Sequence, residues 1–87
     1  MAQHKSAKKR ARQALGRRDR NRAIASRTRS LVKRVREAIA SGDGALAGEH
    51  LRAAERELRR AASKGVLPRA RVDRSVSRLA KAVNRTS

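Results

Sequence analysis

The sequence predicts an all-α protein: a three-helix bundle with a long, protruding, basic N-terminal helix. Three observations carry that prediction. Leucine, isoleucine, valine and alanine recur three and four residues apart in three segments. Two glycine-containing breaks separate those segments. No stretch shows the strict alternation of polar and apolar residues that marks a half-buried strand.

The first helix is expected over about 7–41. Its apolar pattern starts only at Ile24 and continues through Leu31, Val35, Ala38 and Ile39. The break SGDG, Ser41 to Gly44, follows. Gly42 suits a left-handed residue just past a helix end, because it has no Cβ to clash. Asp43 suits the N-cap of the next helix, where its carboxylate accepts from a free backbone N–H. The second helix, 44–63, carries Ala47, Leu51, Ala54, Leu58 and Ala61 on one face. The break SKGVLP, Ser63 to Pro68, offers Gly65 as the next helix stop. Pro68 fits the first turn of the third helix, where its missing N–H is no loss, and Leu67 is then a poor N-cap. The third helix, 68–85, places Val72, Val76, Leu79 and Val83 together. The connections are short, so neighbouring helices run antiparallel.

The 87 residues give room for one domain, divided into an extension, 1–22, and the bundle, 23–87. Cysteine and aromatic residues are both absent. No disulfide or cysteine-based zinc site can brace the chain, and the core must be aliphatic, hence marginal for its size. The lengths do not match: at ~1.5 Å per residue the first helix runs about 50 Å and the others about 30 Å. The N-terminal half of the first helix therefore has no partner helices to pack on.

That half is the stretch KSAKKRARQALGRRDRNR, Lys5 to Arg22, with one acid, Asp19, and one large apolar residue, Leu15. Its residue types favour a helix. Its charges do not: Lys5 and Lys9, Lys8 and Arg12, and Arg18 and Arg22 are like-charge pairs four apart. Cations also crowd the positive end of the helix dipole, and Gly16 adds about 1 kcal/mol against the helix. The free segment is expected to be mostly disordered and to become helical beside a phosphate backbone, which reverses the sign of each charge term.

The net charge of +18 and pI of about 12.0 point to a polyanionic partner. No run approaches the ~18 apolar residues of a membrane span. A membrane-surface helix needs large apolar residues along one face, and Ala7, Ala11, Ala14 and Leu15 do not supply it. The N-terminus lacks the apolar core of a secretory signal, so the expected compartment is the cytoplasm. A merely solvated face normally mixes signs of charge, and the basic stretch does not. In the second helix Glu49, Glu55 and Glu57 interleave with Arg52, Arg56, Arg59 and Arg60, a neutralised face. In the third, Arg71, Arg74, Arg78, Lys81 and Arg85 form a basic stripe opposite the apolar one. His4 and His50 have no metal-ligand spacing, and His50 reads as a half-buried packing residue. There is no nucleophile–base arrangement and no phosphate loop. The reading is a non-enzyme with no cofactor, no metal, no small-molecule substrate and no homo-oligomer.

Composition leaves RNA and DNA open. The lack of aromatics argues against stacking of splayed bases and leaves recognition of backbone and shape. A small basic nucleoid-type DNA-binding protein is the alternative. Specific residues then narrow the choice. HKSAKKRAR, His4 to Arg12, resembles the N-terminal signature of the bacterial small-subunit (30S) ribosomal protein S-twenty family. RNRAIASRTRSLVKRVREAIASGD, Arg20 to Asp43, continues the resemblance through Asn21, Ser26, Arg29, Lys33, Arg34, Ala38, Ile39, Gly42 and Asp43. Ser30 stands for the usual Thr. AASKGVLPRARVDRSVSRLAKAVN resembles the last block through Lys64, Gly65, Arg74, Arg78 and Leu79. There the family's His-Lys-Asn run is replaced by Pro68, Arg69 and Ala70, which keeps a charge and loses an amide. The resemblance implies direct binding to 16S ribosomal RNA early in assembly of the small subunit. Phosphate contacts are then expected from Lys5, Lys8, Lys9, Arg10, Arg12, Arg17, Arg18, Arg22 and Arg29. Ser6, Asn21 and Ser26 are expected to bond sugar or phosphate, and Lys33, Lys64, Arg69, Arg74 and Arg78 to extend the contact.

Overall fold

The computed structural model describes the backbone of residues 2–86 and the side chains of residues 6–86. It contains three helices: α1 (Ala2–Ala40), α2 (Gly44–Ser63) and α3 (Arg69–Thr86). α1 packs most extensively on α2, α3 packs mainly on α2, and α1 and α3 touch least. The molecule measures 64 × 21 × 13 Å, because α1 runs well past the other two helices.

Both helix stops form as the glycines predict. Gly42 has φ of 77° and Gly65 of 74°. After α1, the Asp43 N–H donates to the Ala38 carbonyl at 3.1 Å and the Gly42 N–H to the Ile39 carbonyl at 3.0 Å. After α2, the Val66 N–H donates to the Ala61 carbonyl at 2.9 Å and the Gly65 N–H to the Ala62 carbonyl at 3.1 Å. These paired bonds are Schellman closures, which satisfy carbonyls that a helix end leaves free. Asp43 caps α2: its Oδ1 accepts from the Leu46 N–H at 3.1 Å.

Two expectations are corrected. α1 starts at Ala2 rather than near 7 and ends at Ala40. Pro68 is the residue before α3, not its first: its carbonyl accepts from the Val72 N–H at 3.1 Å, and α3 begins at Arg69. Leu67 is thereby relieved of the N-cap position. The basic segment is helical and runs past the bundle, as its helix-forming residue types and the unequal helix lengths predict. The physical reason is nucleation. The packed half of α1 provides the helical nucleus, and extending a helix from a nucleus is far easier than starting one.

The core joins Val35 and Ala38 of α1, Ala47 and Ala54 of α2, and Leu79 and Val83 of α3. Leu31, Val32, Ile39 and Leu51 pack against it. Leu58, Ala61 and Val72 are also buried. Ile24 and Val76, expected in the core, are half-buried. Thr28 is buried on the α1 apolar face, where a hydroxyl was not expected. It is satisfied locally: its Oγ1 donates to the Ala25 carbonyl at 2.8 Å.

Candidate nucleic-acid interface

Burial on α1 begins at Ile24. From residue 6 to 23 every residue is exposed except Gly16, which is partly covered. α1 holds fourteen lysines and arginines against two acids, Asp19 and Glu37. The described ion pairs lie elsewhere: Arg59 bonds Glu55 at 3.0 Å on α2 and reaches Asp73 of α3 at 3.8 Å. No described cation of α1 is held in an ion pair within the chain. The positive charge of α1 is therefore available to an external anion.

The predicted contact residues fall into distinct groups. Arg18, Arg22, Ser26, Arg29 and Lys33 recur four and three apart, so they form one stripe along α1, and all are exposed. Ser6, Arg10 and Arg17 lie on another face, also exposed. Lys9, Arg12 and Arg17 line a groove along α1 together with Gln13, Gly16 and Arg20. Arg17, Arg18, Asn21 and Arg22 line a second groove, which Val66 of the α2–α3 connection closes. Lys8 is exposed on α1, and the side chains of Lys5 and His4 lie outside the described residues.

On α3, Arg74 and Arg78 belong to the exposed stripe Arg71, Arg74, Arg78, Lys81 and Arg85. Arg69 does not join it. It stands four residues before Asp73, on another face of the helix. Lys64 is the exposed C-cap residue of α2. The α1 and α3 stripes meet at a cleft of about 290 Å³ between the helices. Val32, Leu58, Leu67 and Val72 give it an apolar lining, and Arg29 and Arg71 bring one cation from each stripe. One cation from each of the two stripes thus borders the same cleft. α2 contributes little net positive charge, since its exposed arginines are interleaved with glutamates and Glu55 pairs with Arg59 as the four-residue spacing predicts.

Arg20 and Gln13 were missed as members of these groups. Arg20 was findable, because it follows Gly16 by four and Arg12 by eight. Arg71 was visible as part of a basic stripe, but its meeting with Arg29 depends on how α3 approaches α1. Among the described residues no group of side chains could hold a metal ion, and no helix is long and apolar enough to cross a membrane. His50 is half-buried, as expected.

Comparison with known proteins gives a consistent result. Residues 2–84 match the family described as Ribosomal protein S20. The chain is 52% identical over 87 residues to Small ribosomal subunit protein bS20 of Geotalea daltonii, covering 100% of both chains. It is 46% identical over 87 residues to the protein of that name from Wolinella succinogenes, covering 100% of this chain and 96% of the relative. For the Desulfovibrio desulfuricans protein the figure is 51% over 84 residues, covering 97% of this chain and 94% of the relative.

Proposed function

This chain belongs to the ribosomal protein S20 family, and from that starting point we propose that it is a structural constituent of the small ribosomal subunit that binds 16S ribosomal RNA directly. The role is structural and not enzymatic, in keeping with the family. The observation that carries the RNA-binding part is the unpaired cationic surface of α1, with Arg29 of its stripe and Arg71 of the α3 stripe bordering the same cleft.

The mechanism is electrostatic clamping. RNA helices packed side by side repel through their phosphates. A rod of fourteen cations laid between them neutralises that repulsion and releases condensed counterions. Arginine suits the task, since its planar fork grips two phosphate oxygens and its charge is permanent. The Arg18–Lys33 stripe and the Lys9–Arg20 groove lie on different faces of α1 and so address different strands. The α3 stripe holds a neighbouring segment. Lys5, Lys8, Arg10, Lys64 and Arg69 add to the same field, while Ser6, Asn21 and Ser26 bond sugar or phosphate oxygens. The extension, 1–22, does most of the RNA contact and the bundle, 23–87, anchors it. The protein acts on the cytoplasmic ribosome, early in assembly.

Competition binding at ~0.15 M salt, a physiological ionic strength, tests this. Labelled 5′-domain 16S RNA competes against equal masses of duplex DNA and unrelated structured RNA. A large preference for the 16S fragment is expected. Equal competition by DNA would instead favour the nucleoid-type reading.

A further inference from the structure

Gly16 sits in the middle of α1, where a glycine weakens a helix by about 1 kcal/mol relative to alanine. The fold gives no reason for it. Its φ is not positive, since only Gly42 and Gly65 have that conformation among the described residues. A Cβ built on it meets nothing within 4 Å, so no neighbouring helix demands the space. It is remote from both ends of α1. Its surroundings are distinctive. Arg12 and Arg20 lie one turn before and one turn after it, and Lys9 and Arg17 complete the cationic lining of the groove of which Gly16 is part. Asp19, the nearest acid in sequence, does not line that groove.

We propose that Gly16 is the floor of a backbone-phosphate seat, at which one RNA strand approaches the helix main chain while Lys9, Arg12, Arg17 and Arg20 hold its phosphates. Glycine permits close approach of a helix backbone to a ligand because it has no side chain to hold the two apart. An alanine methyl at this point lifts the strand away from all four cations at once. Charge-assisted bonds to phosphate weaken with that separation. Arg20 thereby becomes an RNA contact, and Gly16 a positioning residue that acts through its neighbours. The inference rests on the RNA-binding role proposed above.

Gly48 provides the internal control. It too lies within a helix with open space around its Cβ position, but on α2, outside the cationic groove. The experiment measures helix content by circular dichroism, and affinity for the 16S 5′-domain fragment across a salt series. The proteins are the full chain and its Gly16→Ala, Gly48→Ala and Arg20→Ala variants. Both glycine variants should gain helix stability. Gly16→Ala should nevertheless bind RNA roughly five- to tenfold more weakly, with a shallower salt slope, while Gly48→Ala binds like the parent. Arg20→Ala should lose up to about one unit of slope. Equal or tighter binding by Gly16→Ala, alongside its added helicity, would show that the glycine is only a helix defect and overturn the seat. Failure of the parent chain itself to prefer the 16S fragment would overturn the RNA reading, and the seat with it.

Discussion

At Gly42 and Gly65 the backbone enters the left-handed region, where an added Cβ costs about 1–2 kcal/mol. Gly42→Ala should therefore lower the unfolding free energy by about that amount in urea denaturation, although nothing obstructs the new methyl. Asp43→Ala removes the cap bond to Leu46 and should cost about 1 kcal/mol in the same assay. An unchanged midpoint in either variant would contradict the helix stops described. These residues were readable in the sequence because their chemistry admits few positions. Pro68 was harder, since a missing N–H is equally harmless in the N-cap position and in the first turn. Thr28 was missed because a hydroxyl bonded to the carbonyl three residues back hides its polarity from the rest of the core. Single contact residues are expected to act weakly. Lys9→Ala or Arg18→Ala should reduce the salt slope of RNA binding by up to about one unit each.

The three helices, the protruding basic part of α1 included, were readable from apolar spacing, glycine punctuation and helix-forming residue types. Residue-by-residue charge terms predict disorder, but they leave out the nucleus supplied by Leu31, Val35 and Ala38 packing on α2. The segment should consequently behave differently in and out of context. A peptide of residues 1–22 lacks the nucleus and should give a coil spectrum by circular dichroism, becoming helical when titrated with 16S RNA. In the full chain the same residues should already contribute helicity, and more so as salt screens their repulsion. No gain in the peptide at saturating RNA would refute the coupling. The contact groups on α1 follow from helical spacing and so were recoverable from the sequence. The convergence of the α1 and α3 stripes at Arg29 and Arg71 was not, because it depends on the approach of two helices that touch little.

The molecule is 64 Å long and carries a net charge of +18 on a small aliphatic core. Self-repulsion opposes the compact state, so the melting temperature of the free protein should rise with salt and rise again with RNA. Saturation at 100 times the dissociation constant adds about 2.7 kcal/mol. Melting insensitive to both would mean that charge is not what limits stability. The distribution of charge matters more than its total, and one comparison tests this directly. Arg22, Arg29 and Lys33 on α1, or Arg52, Arg56 and Arg60 on α2, are changed together to glutamine, so that each variant loses three charges. The salt dependence of binding to the 16S 5′-domain fragment is then measured for both. The α1 variant should lose about two to three units of slope and the α2 variant about half a unit at most. Equal losses would show that binding follows net charge alone and would contradict a defined interface on α1 and α3.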